Sequence, residues 1–121
     1  MSLRRYEFAD IPATRLDITV AEPAPAADLL VTLAGELDAD ETEGLHTTLS
    51  AALVTHAPAR LRLDASMLTF IDSGGVRALL QCHDMAARAG VPLLIERVHP
   101  NVYQVLEITG LVEILGATRV S

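Results

Sequence analysis

The sequence predicts an α/β domain: a single mixed β-sheet of four to five strands with about three α-helices packed against it. Three observations carry this. Apolar residues recur with period 2 in some segments and period 3.6 in others, and the two kinds alternate along the chain. Two strand-like segments come first, separated by a short proline-containing loop that suits an antiparallel pair. The later strand-like segments are separated by helical ones, and such crossovers make strands parallel, with a right-handed connection. The 121 residues favour one domain. A chain of this length buries roughly two-thirds of the surface its unfolded form exposes, so one core needs no metal or disulfide.

Residues 1–14 read as an N-terminal extension and 15–121 as the domain. Leu16-Asp17-Ile18-Thr19-Val20 alternates apolar and polar, as a half-buried strand does. Glu22 to Ala27, with two prolines, is a connecting loop. Leu29 to Leu33 is a second, more buried strand, and Gly35-Glu36-Leu37-Asp38 leads into a helix. Asp38 with Glu41 three residues on resembles a capping box. Leu45, Leu49, Ala52 and Leu53 share one face of that helix, and Pro58 closes it. Gly44 within it costs about 1 kcal/mol relative to Ala.

Leu61, Leu63 and Ala65 alternate with Arg62 and Asp64 in a third strand. The second helix follows Ser73, with Val76, Leu79, Leu80, His83 and Ala87 on one face and Gly90 and Pro92 at its end. Val91 to Ile95 is a continuous apolar run, typical of a strand with parallel neighbours. Pro100 opens a third helix, where its missing N–H costs nothing, and Gly110 ends it. Val102, Val105 and Leu106 form its inner face, and Leu111 to Val120 supplies a short last strand.

Composition narrows the function. Acidic residues outnumber basic ones 16 to 9, a net charge of −7. That disfavours direct nucleic-acid binding, which needs clustered cations. Pro and Gly interrupt the apolar runs well short of the ~20 residues a membrane span needs. The N-terminus lacks an apolar stretch of signal-peptide type. The lone Cys82 cannot form an intrachain disulfide, and on the second helix it reads as a buried structural thiol. A cytoplasmic protein with no membrane contact is expected. The four His show no metal-ligand spacing, so no metal site and no cofactor is expected.

The stretch that bears on mechanism is Asp72-Ser73-Gly74-Gly75. It places one hydroxyl where Met67-Leu68-Thr69-Phe70-Ile71 gives way to a helix, beside unsatisfied N–H groups and a positive helix end. Four readings compete. A serine nucleophile needs a base within about 2.6–3.2 Å. His83 lies roughly three turns along the same helix, too far at 1.5 Å rise per residue. Gly-x-Ser-x-Gly fails because Ile71 fills the first glycine position. Asp-Ser-Gly-Gly also surrounds the nucleophile of chymotrypsin-like proteases, but this chain is about half their length and its strand–helix order is not all-β. A phosphate-binding loop would lack a lysine and a third glycine, with only Arg77 near. An ordinary helix cap and turn is the third reading, and a regulatory phosphoserine is the fourth.

Three motifs occur together and in order: Gly35-Glu36-Leu37-Asp38, Leu68 to Val76, and Leu106-Glu107-Ile108-Thr109-Gly110-Leu111. At this spacing the combination resembles the anti-sigma factor antagonists (anti-anti-sigma factors) of the bacterial STAS domain family. The resemblance runs from about Leu16 to Leu115 and implies a STAS-like fold. It also implies that Ser73 is phosphorylated by an anti-sigma factor serine kinase, and that the unphosphorylated form binds this partner and frees a sigma factor. A metal-dependent serine phosphatase would reset the switch. The resemblance places Asp38, Asp72, Ser73, Gly74, Gly75 and Val76 at the positions of the family's partner-binding site. No catalysis by the chain itself is implied. The alternative is a STAS-type scaffold, or a nucleotide- or ligand-sensing subunit of a larger complex or transporter.

The chain departs from the family pattern at Gly74, where many members have Ser or Thr, and at Val76, where Leu is usual. Ser73 is therefore the one hydroxyl of its tetrapeptide. The glycines read as clearance for the partner's active site. The chain also stops soon after Leu115, where several members continue into another helix. Leu3 to Thr14 folding back, or a homodimer, would cover the surface this leaves. Asp38, Asp40, Glu41 and Glu43 form an acidic first turn, which compensates the helix dipole and would complement a basic patch on the kinase.

Overall fold

The computed structural model describes residues 15–21 and 27–120, so the expectations for Leu3–Thr14 and for most of the Glu22–Ala27 loop lie outside the described residues. Four strands form one sheet: β1 (Leu16–Val20), β2 (Leu29–Leu37), β3 (Leu61–Ile71) and β4 (Leu93–Glu96). Three α-helices alternate with them: α1 (Thr42–His56), α2 (Ser73–Arg88) and α3 (Pro100–Ile108), with a short 3-10 turn, Ala39–Glu41, before α1.

The sheet order is β1-β2-β3-β4. β1 runs antiparallel to β2, while β2–β3 and β3–β4 are parallel, as strand spacing predicts. Both crossovers step the same way across the sheet, so their right-handedness puts α1 and α2 on one face, packed against each other. Side chains from that face, including Leu29, Val31, Leu33, Leu61, Leu63, Leu93 and Ile95, join Leu45, Leu49, Leu79, Val102 and Leu106 in one core cluster. The opposite face carries ion pairs. Arg60 bonds Asp28 through two nitrogens at 3.0 and 2.7 Å, and Arg62 bonds Glu96 at 2.9 and 2.8 Å. The hydrogen bond from Arg60 holds the Asp28 carboxyl below its usual range.

Several expectations need correction. β2 continues four residues past Leu33, so Gly35–Leu37 are strand rather than helix lead-in. Gly35 makes this possible: its φ is +108°, and a Cβ there would run into the carbonyl of Arg15, the residue before β1. The buried face of α2 is Gly75, Val76, Ala78, Leu79, Cys82 and Ala86, rotated from the expected one, and Ala87 is exposed. The fully buried Cys82 thiol is raised by burial to about 11, so it stays protonated and unreactive at neutral pH.

The expected last strand over Leu111–Val120 shrinks to a single bridge, Val98↔Arg119. The N–H groups of its first half turn back on the segment, Leu115 donating to the Leu111 carbonyl at 3.0 Å and Ala117 to that of Val112 at 2.8 Å, while Thr118 N–H reaches the Ile95 carbonyl at 3.3 Å and Val120 N–H that of Val98 at 3.1 Å. The segment still lies along β4, where Ile95 N–H donates to the Leu115 carbonyl at 3.0 Å and Val98 N–H to that of Thr118 at 2.8 Å.

β3 does not alternate throughout. Thr32↔Asp64 is followed by Ala34↔Met67, and Gly35↔Leu68 by Glu36↔Phe70, so β3 carries an extra residue at each step. The two irregularities shift its burial from Leu61, Leu63, Ala65 to Leu68 and Ile71. Met67 (61% exposed) and Phe70 (45%) are turned to solvent. Thr69 Oγ1 donates to the Gly35 carbonyl at 3.1 Å, which ties down the second bulge.

Candidate functional site

β2 and β3 end side by side, because they are parallel and adjacent, and each feeds a helical segment at the same edge of the sheet. The 3-10 turn after β2 and the first turn of α2 therefore meet. Crevices outside the carboxyl ends of parallel strands are where α/β sheets commonly place their sites. Asp38 and the Asp72–Val76 stretch, far apart in sequence, are brought together here.

Asp72, not Ser73, caps α2. Its backbone is extended (φ −113°, ψ −173°), and its Oδ1 accepts from Gly75 N–H at 2.9 Å. Ser73 is thereby the first helical residue, and it is exposed. Among the described residues no side-chain hydrogen bond involves its hydroxyl. A serine acting as the cap would have spent that oxygen on a backbone N–H. The neighbouring carboxylate takes that task and leaves the hydroxyl facing solvent.

The glycines have an internal reason. A Cβ on Gly74 would lie 2.6 Å from Ala39 Cβ and 2.7 Å from Ala39 Cα. A Cβ on Gly75 would meet the Leu37 carbonyl oxygen and, at 2.7 Å, Ile71 Cγ1. The space these glycines leave is filled by the chain itself, which corrects their reading as clearance for a partner. Close approach lets Asp72 N–H donate to the Leu37 carbonyl at 3.3 Å and joins the start of α2 to the end of β2.

Asp38 is buried, at 6% exposure. One oxygen accepts from Asp40 N–H at 3.0 Å, capping the 3-10 turn; the other meets Arg15 Nη1 at 2.6 Å. Glu41 does not close a reciprocal capping box: its Oε2 accepts from Arg15 N–H at 3.5 Å. Arg15 also reaches Glu36 at 3.9 Å. Sequence patterns gave no sign of Arg15, because its link to Asp38 spans 23 residues. Of the six expected site residues, Ser73 is exposed, Asp72 and Gly74 are half-buried, and Asp38, Gly75 and Val76 are buried. The buried three shape the site from beneath.

None of the described hydrogen bonds joins a histidine to Ser73. His83 Nδ1 lies 3.4 Å from Asp84, and His99 Nδ1 accepts from Asn101 N–H at 3.2 Å to cap α3. Among the described residues no group of three His, Cys, Asp or Glu could hold a metal ion, and no helix is long and apolar enough to cross a membrane. An open groove of about 660 Å³ between α1 and α2 is lined by His46, Ser50, Gln81, Asp84, Met85 and Arg88, and none of the six site residues lines it.

Comparison with known proteins agrees with this architecture. The family model described as Mlab, STAS domain matches residues 20–116. The anti-sigma factor antagonist SpoIIAA in its unphosphorylated form is similar at a TM-score of 0.64 and 25% identity, over 84% of this chain and 88% of that one. The phosphorylated Bacillus cell fate determinant SpoIIAA matches at 0.60 and 24% identity, over 87% and 92%. The murine anion transporter Slc26a9 in its inward-facing state matches at 0.65 and 24% identity, over 73% of this chain but 14% of that one. The present chain thus spans a small part of the transporter and most of the antagonists. With a family match over residues 20–116 and the same single mixed sheet, this chain belongs to the STAS domain family.

Proposed function

We propose that this protein is an anti-sigma factor antagonist that binds a kinase-type anti-sigma factor and is switched off by phosphorylation of Ser73. The observation that carries the reading is the division of labour at the start of α2: Asp72 caps the helix, and the exposed Ser73 hydroxyl makes no side-chain hydrogen bond among the described residues. Similarity to an antagonist solved in both unphosphorylated and phosphorylated forms supports it. The chain in this scheme is a substrate and a binding module, not an enzyme. A metal-dependent serine phosphatase restores the binding-competent form.

Electrostatics make the switch effective. Phosphorylation adds about −1.5 to −2 charges at neutral pH. The helix end offsets a part, roughly 0.3–1 kcal/mol, while Asp72 opposes it. The domain tolerates the group in solvent. A partner that covers Ser73 must desolvate an ion it does not match, at a cost of several kcal/mol. Each ~1.4 kcal/mol weakens binding tenfold.

The test is incubation with kinase-type anti-sigma factors and ATP, followed by mapping of added phosphate by mass spectrometry. Phosphate on Ser73, absent from Ser73→Ala, is the expected result. Failure of every such kinase to modify the protein, with Ser73→Asp binding as tightly as wild type, refutes the reading. A second reading, a STAS subunit of a transporter or ligand-sensing complex, is favoured by the transporter similarity and by the α1–α2 groove. Stable co-purification with a membrane transport complex regardless of Ser73→Asp would select it.

A further inference from the structure

Phosphate placed on Ser73 would enter an acidic neighbourhood. Asp72 precedes it, and the 3-10 turn packed against Gly74 brings Asp38, Asp40 and Glu41, with Glu36 at the end of β2. The cation already there, Arg15, is spent on Asp38 at 2.6 Å and on Glu36 at 3.9 Å. The Asp72 carboxylate holds Gly75 N–H. Among the described residues one further cation lies on the same stretch of α2: Arg77, which is exposed.

Ser73 and Arg77 are separated by four residues of continuous α-helix. Such residues share a face, with Cβ atoms about 5–6 Å apart, and an anion N-terminal to a cation is the better orientation. The guanidinium fork suits phosphate oxygens. Among the described residues, Arg15, Arg60, Arg62 and Arg97 each face a carboxylate and Arg119 lies over the Tyr103 ring at 5.1 Å. Arg77 and Arg88 have no such partner among the described residues, and Arg88 is at the far end of α2.

We propose that Arg77 is the receptor for the phosphoryl group on Ser73, pairing with it along the first turns of α2. The inference rests on the phosphoserine reading above and adds a second effect to it. In the unmodified protein Arg77 is free to meet a carboxylate of the partner beside Ser73. In the phosphorylated protein it is withdrawn into an intramolecular pair. One modification thus adds negative charge to the docking surface and removes a positive one. Arg77 acts as a positioning residue.

The experiment uses the whole chain with phosphoserine installed at position 73 during synthesis, so no kinase is needed. The second ionisation of the phosphate, ordinarily near pH ~6, is followed by ³¹P NMR at low salt. With Arg77 present it is expected lower than in Arg77→Gln by about 0.2 unit or more. The difference should shrink in ~1 M salt, where the screening length is about 3 Å. Arg77→Lys should keep much of the shift, and Arg88→Gln should leave it unchanged. A smaller difference between wild type and Arg77→Gln, or an equal shift from Arg88→Gln, overturns the proposal. Because the phosphate is supplied synthetically, this result is independent of whether a kinase modifies Ser73.

Discussion

Position 74 shows how one residue fixes the start of α2 against the 3-10 turn. Ala39 fills the space a side chain there would take, at 2.6 Å between the two Cβ positions. Gly74→Ser therefore does more than add a second hydroxyl. It pushes the start of α2 away from the 3-10 turn that Asp38 caps. Overpacking of this kind costs typically 1–3 kcal/mol. Gly74→Ser should lower stability by about that amount in urea denaturation, and Ala39→Gly in the same chain should recover a large part of it. Additive losses in the double variant would show that the two positions are not in contact. The buried Asp38 works beside them. Its two oxygens are committed to Arg15 and Asp40 N–H, so it holds the turn in place.

At the scale of elements, β3 departs furthest from simple pattern. Its first half alternates as Leu61, Leu63 and Ala65 predict; its second half does not, because two extra residues enter opposite β2. Strict alternation from Leu61 would bury Met67 and expose Leu68, whereas the bulged strand does the reverse. Leu68→Ala should thus cost about 2–5 kcal/mol, as a core truncation. Met67→Gln and Phe70→Gln should fall within about ±0.5 kcal/mol, as surface changes do. Urea melts of the three variants check this, and a reversed order would refute the register. The consequence for function is positional: the bulges set where β3 stops, and so where Asp72 turns the chain into α2.

At the scale of the whole molecule, the site sits on a rigid foundation. Leu37, Ile71, Gly75 and Val76 are buried at the ends of adjacent strands and the start of α2, while Ser73 projects from them. A charge at Ser73 therefore touches solvent rather than core. Ser73→Asp should unfold in the same single cooperative step as wild type, with a midpoint shifted by less than ~0.5 kcal/mol in stability. Circular dichroism melts in urea measure this. Loss of cooperativity would mean that modification acts by unfolding the domain.

The order of elements was legible from local chemistry. Period-2 segments, period-3.6 segments, Gly90 and Pro92 at one helix end and Pro100 at the next helix start all act over a few residues. The identity of Ser73 as the one candidate acceptor in its turn was legible for the same reason. Three features were not. The division of labour between Asp72 and Ser73 depends on the backbone conformation at the cap. The bulges depend on how β3 meets β2, and the Arg15–Asp38 pair joins residues 23 apart. By itself the sequence determined the α/β class, the helix and strand order as far as α3 and the serine turn, since these follow from periodicity and from Gly and Pro conformational limits. Tertiary structure alone decided which glycine contacts are internal, which apolar residues face solvent and which carboxylates are already paired. Those outcomes arise from close packing and charge pairing between segments that only folding brings together.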